Sequence, residues 1–92
     1  SMPNLYFFNS KGVYDKKKTA MYRNAAKINS NATQIKKLLG KYKKVSVIGE
    51  SCFGNGKGSD VVYVYDNIEL SVFRPTGKDA SAEIVESVSQ RY

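Results

Sequence analysis

The chain contains no histidine and no tryptophan, a single cysteine and only two prolines. Missing histidine removes the commonest general base, the commonest zinc ligand and the usual partner of a nucleophilic Cys or Ser. The lone Cys52 cannot form an internal disulfide, which fits a reducing, cytoplasmic setting. Together these two scarcities leave no ligand set for structural zinc. No apolar run approaches the ~18 residues of a spanning helix, and no charged-then-apolar leader is present, so no membrane partner is expected. Any catalysis would rest on Lys, Arg, Tyr, Cys52 or carboxylates. No cofactor and no metal are expected, and a non-catalytic role is favoured over an enzyme.

At 92 residues the chain has the size of one domain, and Ser1 ahead of Met2 reads as a cloning remnant, leaving residues 2–92 as that domain. Such a chain buries only about 60–65% of its unfolded surface, enough for one modest core. Hydrophobic residues make up 41%, with seven Tyr and four Phe, which argues for a packed fold. The net charge of +7 is unevenly spread. Residues 1–44 carry eleven basic groups against one acid, Asp15, a net of +10; residues 45–92 carry four against seven, a net of −3. That split favours an anionic partner for the first half.

Along the chain, the run "NLYFF" reads as a first strand folding back through "VYD". Asp15 can cap a helix from about Lys16 to Asn29, with Met21, Ala25 and Ile28 as its apolar face. After "NSN", Ser30 or Asn31 can cap a second helix. Its stripe is Ile35, Leu38, Leu39 and Tyr42, with Gly40 placed to stop it. Val45, Val47 and Ile48 begin a strand entering the glycine-rich stretch. In "VVYVYDNIELSVF", Asp66-Asn67 makes a two-residue turn that puts Tyr65, Tyr63 and Val61 opposite Ile68, Leu70 and Val72 on one buried side. The other side carries Val62, Val64, Glu69, Ser71 and Phe73. Pro75 ends the strand, and Asp79 can cap a last helix with Ile84, Val85, Val88 and Tyr92 on one face. The order β-α-α-β-β-β-α describes a small α+β domain with a mostly antiparallel sheet packed against helices.

The stretch "IGESCFGNGKGSD" is not a phosphate loop. Gly49 and Gly54 have the outer Walker A spacing, but Asn55 and Gly56 stand where Lys and Ser or Thr are required. Cys52 has no activating base and reads as a partly buried, inert strand residue. Glu50 and Asp60 form at most a weak Mg²⁺ pair. The stretch is expected to be a long, mobile hairpin loop that carries Lys57 toward a partner.

Phosphate binding needs many cations on one surface. The helical half supplies Lys16, Lys17, Lys18, Arg23, Lys27, Lys36, Lys37, Lys41, Lys43 and Lys44, with Lys57 on the loop and Tyr6, Tyr14 and Tyr22 as stacking partners. The expected function is therefore a basic module contacting DNA or RNA phosphates. The alternative is an inhibitor or adaptor docking on an acidic, or nucleic-acid-binding, surface of a partner protein, and a homodimer stays open. After residue 30 the order α-β-β-β-α is similar to a double-stranded-RNA-binding domain, with "TGKDASAE" where that family has paired lysines. The whole order, and the hairpin "VVYVYDNIELSVF", resemble the RelE/ParE toxin superfamily. That resemblance implies a ribosome-dependent ribonuclease or a gyrase poison, with Arg74, Lys78, Arg91 and Tyr92 in the region where catalytic groups would be sought.

Overall fold

A computed structural model describes residues 2–53 and 56–91, of which 51–53 are described by their backbone alone. Helices α1 (Lys16–Ala25) and α2 (Thr33–Leu39) precede strands β1 (Lys44–Phe53), β2 (Gly56–Val64), β3 (Ile68–Pro75) and β4 (Ile84–Gln90). The strands form one antiparallel meander in the order β1-β2-β3-β4. Leu5, Ala25, Ala26, Ala32 and Ile35 pack on one side of this sheet, against Val61, Tyr63, Tyr65, Ile68, Leu70, Val72 and Val85. The α+β class expected from the sequence is the one found.

The central hairpin has the expected register, with Tyr63 opposite Leu70 and Val61 opposite Val72. All six residues of its predicted inner side are buried. Phe73 is also buried, although it lies on the other side. It packs on Gly58, where an added Cβ would meet the Phe73 ring and the Arg74 carbonyl oxygen. Glycine at 58 is what leaves room for that ring.

Several expected elements come out differently. The first strand does not join the sheet: residues 7–15 form a separate tight hairpin with a single bridge, Phe8 to Tyr14. Asp15 caps α1 as expected, accepting from the Lys18 amide at 2.9 Å, but the helix stops at Ala25 rather than Asn29. The reason lies in β4. Asn29 N–H donates to Val85 O, Val85 N–H to Ser30 O and Ala32 N–H to Glu83 O, each at 2.8 Å. Residues 29–32 thus run as a strand-like segment along β4, and Asn29 takes the left-handed φ of 71° that asparagine tolerates. Met21, placed on the apolar face, is 51% exposed, whereas Thr19 and Ala26 are buried. Asn31 supports the start of α2 by accepting from Thr33 N–H, and Gly40 ends it with a φ of 78°. Tyr42, the last residue of the predicted stripe, lies beyond α2 and is exposed.

The predicted last helix is a strand over Ile84–Gln90, and Tyr92, expected on the helix face, lies outside the described residues. Asp79 does cap a helical turn, by accepting from Ser81 N–H, but that turn is a single 3-10 segment, Ala80–Ala82. Glu83 is already extended and β4 follows. The glycine-rich stretch is corrected too. Its ladder continues from Glu50 opposite Ser59 to Phe53 opposite Gly56, so it is a paired hairpin rather than a long loop. The connection at 54–55 and the Cys52 side chain lie outside the described residues.

The two sheet edges differ. β4 is covered by residues 29–32, while among the described residues β1 has no backbone partner except β2. Val45, Val47 and Ile48 on β1 are exposed. No helix among the described residues is long and apolar enough to cross a membrane.

Candidate nucleic-acid interface

The N-terminal hairpin is built around Asn9. Its side-chain oxygen accepts from Lys11 N–H and Val13 N–H, and its own N–H donates to Val13 O. Gly12, with a φ of 76°, donates to Asn9 O and closes the turn. Asp15 N–H donates to Phe7 O, and Phe7 N–H to the buried Thr19 hydroxyl, so the hairpin is pinned to α1. Alternation then divides its aromatics. Phe7 turns inward against Tyr22, with ring centroids 4.2 Å apart. Tyr6, Phe8 and Tyr14 cluster on the outside, Phe8 meeting Tyr14 edge-on at 6.0 Å.

Cations surround both aromatic groups. Lys18 Nζ lies 5.3 Å from the Phe7 ring and 5.5 Å from Tyr22, within cation–π range. Arg23 stacks on Tyr6 at 4.7 Å and donates through Nε to Leu5 O. Lys11 projects from the turn, and Lys16 and Lys17 follow Tyr14 and Asp15 directly and are exposed. Beyond Tyr22, a cleft of about 230 Å³ is lined by Phe7, Leu39, Lys41, Lys43 and Ile68 among others. Lys41 and Lys43 thus line one aromatic-walled depression together with Asp66, and Lys18 lies over Phe7 and Tyr22, two of its walls.

The other predicted contacts are placed less uniformly. Lys27 and Lys37 are exposed, and Lys44 borders a shallow depression on the helix-free face of the sheet. Lys43 pairs with Asp66 at the hairpin turn. Lys57 stands apart, seven residues along β2 from the Val64 that faces Lys44, roughly 23 Å at strand rise. Lys36 turns its ammonium inward to Glu83, and its side chain is only partly exposed.

Lys36 belongs to a buried cluster that sequence reasoning missed. Glu83 is fully buried, and its carboxylate accepts from Lys36 Nζ at 2.7 Å and from Arg74 Nη2 at 2.8 Å. The Tyr63 hydroxyl donates to the same carboxylate at 2.8 Å. Burial alone would raise the Glu83 pKa, but the hydrogen bonds from Lys36, Tyr63 and Arg74 outweigh it and hold the carboxyl below its usual range. This cluster ties α2 to β2, β3 and the start of β4. Its only sequence signal is an acid beside an apolar β-branched run, which is common on surfaces.

Next to it, Tyr65 is buried and its hydroxyl has no hydrogen-bond partner among the described residues. Tyr65→Phe should therefore leave stability unchanged or raise it by up to about 1 kcal/mol, because it removes an uncompensated desolvated hydroxyl. Tyr63→Phe should cost about 1.5–3 kcal/mol, the worth of a hydrogen bond to a charged group. Urea melts of the two variants check this, and equal losses would refute it.

On the ladder Glu50 lies opposite Ser59, and Asp60 opposite Ile48. Asp60 interacts with Glu86, whose carboxyl is pushed up by burial and by that neighbour. Among the described residues no group of three or more His, Cys, Asp or Glu could hold a metal ion. Compared with known proteins, the chain matches no family model, no curated protein and no solved structure.

Proposed function

We propose that this domain binds nucleic-acid phosphates through its N-terminal helical half, without catalysis. One observation carries the reading. Of the eleven basic residues before position 45, only Lys36 and Lys43 have a carboxylate within ion-pair distance among the described residues. An ordinary solvated face mixes signs, whereas an unneutralised set of cations concentrates positive potential and exchanges counterions for phosphates. The interface consists of Lys16, Lys17, Lys18, Arg23, Lys27, Lys37, Lys41, Lys43 and Lys44. Lys36 is left out because its ammonium is held by Glu83.

Fluorescence anisotropy with labelled oligonucleotides over a range of salt tests this reading. The combined reversal of Lys16, Lys17, Lys37 and Lys41 to Glu should abolish binding while the melting curve stays native. Single alanines should flatten the log Kd against log salt slope by about 0.7 per lost phosphate contact on a single strand, or about 0.9 on a duplex. Lys78→Ala should leave that slope unchanged. Failure of the wild type to bind DNA or RNA at low salt refutes the reading.

A second reading, docking on a partner protein, is favoured by β1. Its outer backbone edge is unpaired among the described residues, and Val47 is 60% exposed. Such an edge can accept an added strand. Loss of a protein complex in Val47→Lys, with nucleic-acid binding intact, would mark that surface as separate.

A further inference from the structure

Resting on the phosphate-binding reading above, we infer that the bound nucleic acid is single-stranded and that Phe8 and Tyr14 of the N-terminal hairpin stack its unpaired bases. Phe8 is 54% exposed and Tyr14 44% exposed, on a hairpin whose turn needs only Asn9 and Gly12. Neither ring is required for that turn, and both leave apolar surface in water. They meet edge-on at 6.0 Å, and Tyr14 also meets Tyr6 at a tilt at 6.4 Å, yet about half of each residue stays accessible.

The surroundings indicate what covers these rings. Lys11 lies between them in the turn, and Lys16 and Lys17 follow Tyr14 and Asp15. The one acid in the region, Asp15, directs its carboxylate to the Lys18 amide as the helix cap. A ligand here must offer flat apolar faces beside negative charge, which is the chemistry of a base on its phosphodiester backbone. A duplex hides its base faces in the stack, so it could reach the lysines but would leave Phe8 and Tyr14 unmatched. An apolar protein surface would match the rings but meet uncompensated lysines. The hairpin is also held in place beforehand, through Asn9, Asp15 and Thr19, so little ordering accompanies binding.

The test compares oligo-dT, oligo-U and a blunt DNA duplex of equal length, read by anisotropy and by tyrosine fluorescence, which no tryptophan obscures. Wild type should bind the single strands more tightly than the duplex; the ratio of oligo-dT to oligo-U affinity tells DNA from RNA as the preferred source. Phe8→Ala and Tyr14→Ala should each weaken single-strand binding by about 5–150-fold, the range for losing one base stack, with the salt slope unchanged. Tyr14→Phe, which keeps the ring, should bind like wild type, and native melting curves exclude misfolding. If the double alanine variant binds single strands as wild type does, with the salt slope intact, this inference fails alone. Equal affinity for duplex and single strand also overturns it. If the wild type binds no nucleic acid, the phosphate-binding reading falls and this inference with it.

Discussion

Glu83→Gln should destabilise the domain by about 3 kcal/mol in urea melts, the lower end of the 3–5 kcal/mol seen when one member of a buried ion pair is removed. Glu83 is fully buried between Lys36 and Arg74. An amide of the same shape takes the negative charge from both cations, turns its NH2 group toward one of them, since Lys36 bonds Oε1 and Arg74 bonds Oε2, and halves the acceptor capacity for the Tyr63 hydroxyl. The lower end applies because the Lys36 and Arg74 side chains are 22% and 32% exposed and can turn partly to water. A loss below about 0.5 kcal/mol, the size usual for a surface change, would contradict the cluster.

The same carboxylate predicts a pH dependence with a definite sign. Its folded pKa lies below its unfolded value, so its contribution is complete above about 4.3 and disappears as pH falls through the folded pKa. Wild type should lose stability on that acid limb, and Glu83→Gln should show a shallower one. Glu86 acts in the opposite direction, since its folded pKa is raised by burial and by Asp60. Its contribution is present below about 4.3 and lost as pH rises through the folded value. The observed acid slope is therefore a balance in which Glu86 opposes Glu83 and Asp79, the latter held low by hydrogen bonds from Ser81.

How much of this was legible in the sequence follows from where the regular periods hold. The hairpin around Asp66-Asn67 was readable because a two-residue turn and strict alternation fix register, and the register is Tyr63 to Leu70 as expected. Asp15 and Gly40 were readable because a cap is a local decision. The strand β4 was misread as a helix because of one bulge. Val72 faces Val85 and Ser71 faces Ser87, so Glu86 is an extra residue on β4. That insertion flips the side-chain parity, leaving Val85 and Val88 three apart on the same side, a spacing indistinguishable from a helix. The β-branched Ile84, Val85 and Val88 were the better signal.

A similar bulge at Gly49 shifts the β1–β2 register, and it made a paired hairpin look like a glycine loop. In the candidate interface, exposed lysines could be counted from the sequence, but the inward turn of Lys36 could not. That turn depends on a Glu 47 residues away. Phe8 was missed as a stacking group because an aromatic beside aromatics reads as core, and only the separate hairpin puts it outside.

Leu70→Ala should cost about 2–5 kcal/mol, the range for truncating a buried leucine. Leu70 has no exposed surface and lies between Tyr63 on β2 and Val88 on β4, at the centre of the face that both helices cover. No neighbour can collapse easily into the space it leaves, because the positions on either side are held by backbone ladders. At 92 residues, total stability is on the order of 5–14 kcal/mol, so this one side chain carries a large share. With a shift of about 4–8 °C per kcal/mol for a domain of this size, the melting temperature should fall by roughly 8–40 °C. Val47→Ala on β1 is the matching control, a strand residue on the same sheet but 60% exposed, where a change within about 0.5 kcal/mol is expected. Equal effects at the two positions would mean that the helices do not cover β2 and β3 in preference to β1. A large loss at Leu70 with none at Val47 fixes the core under the central hairpin and leaves β1 outside it.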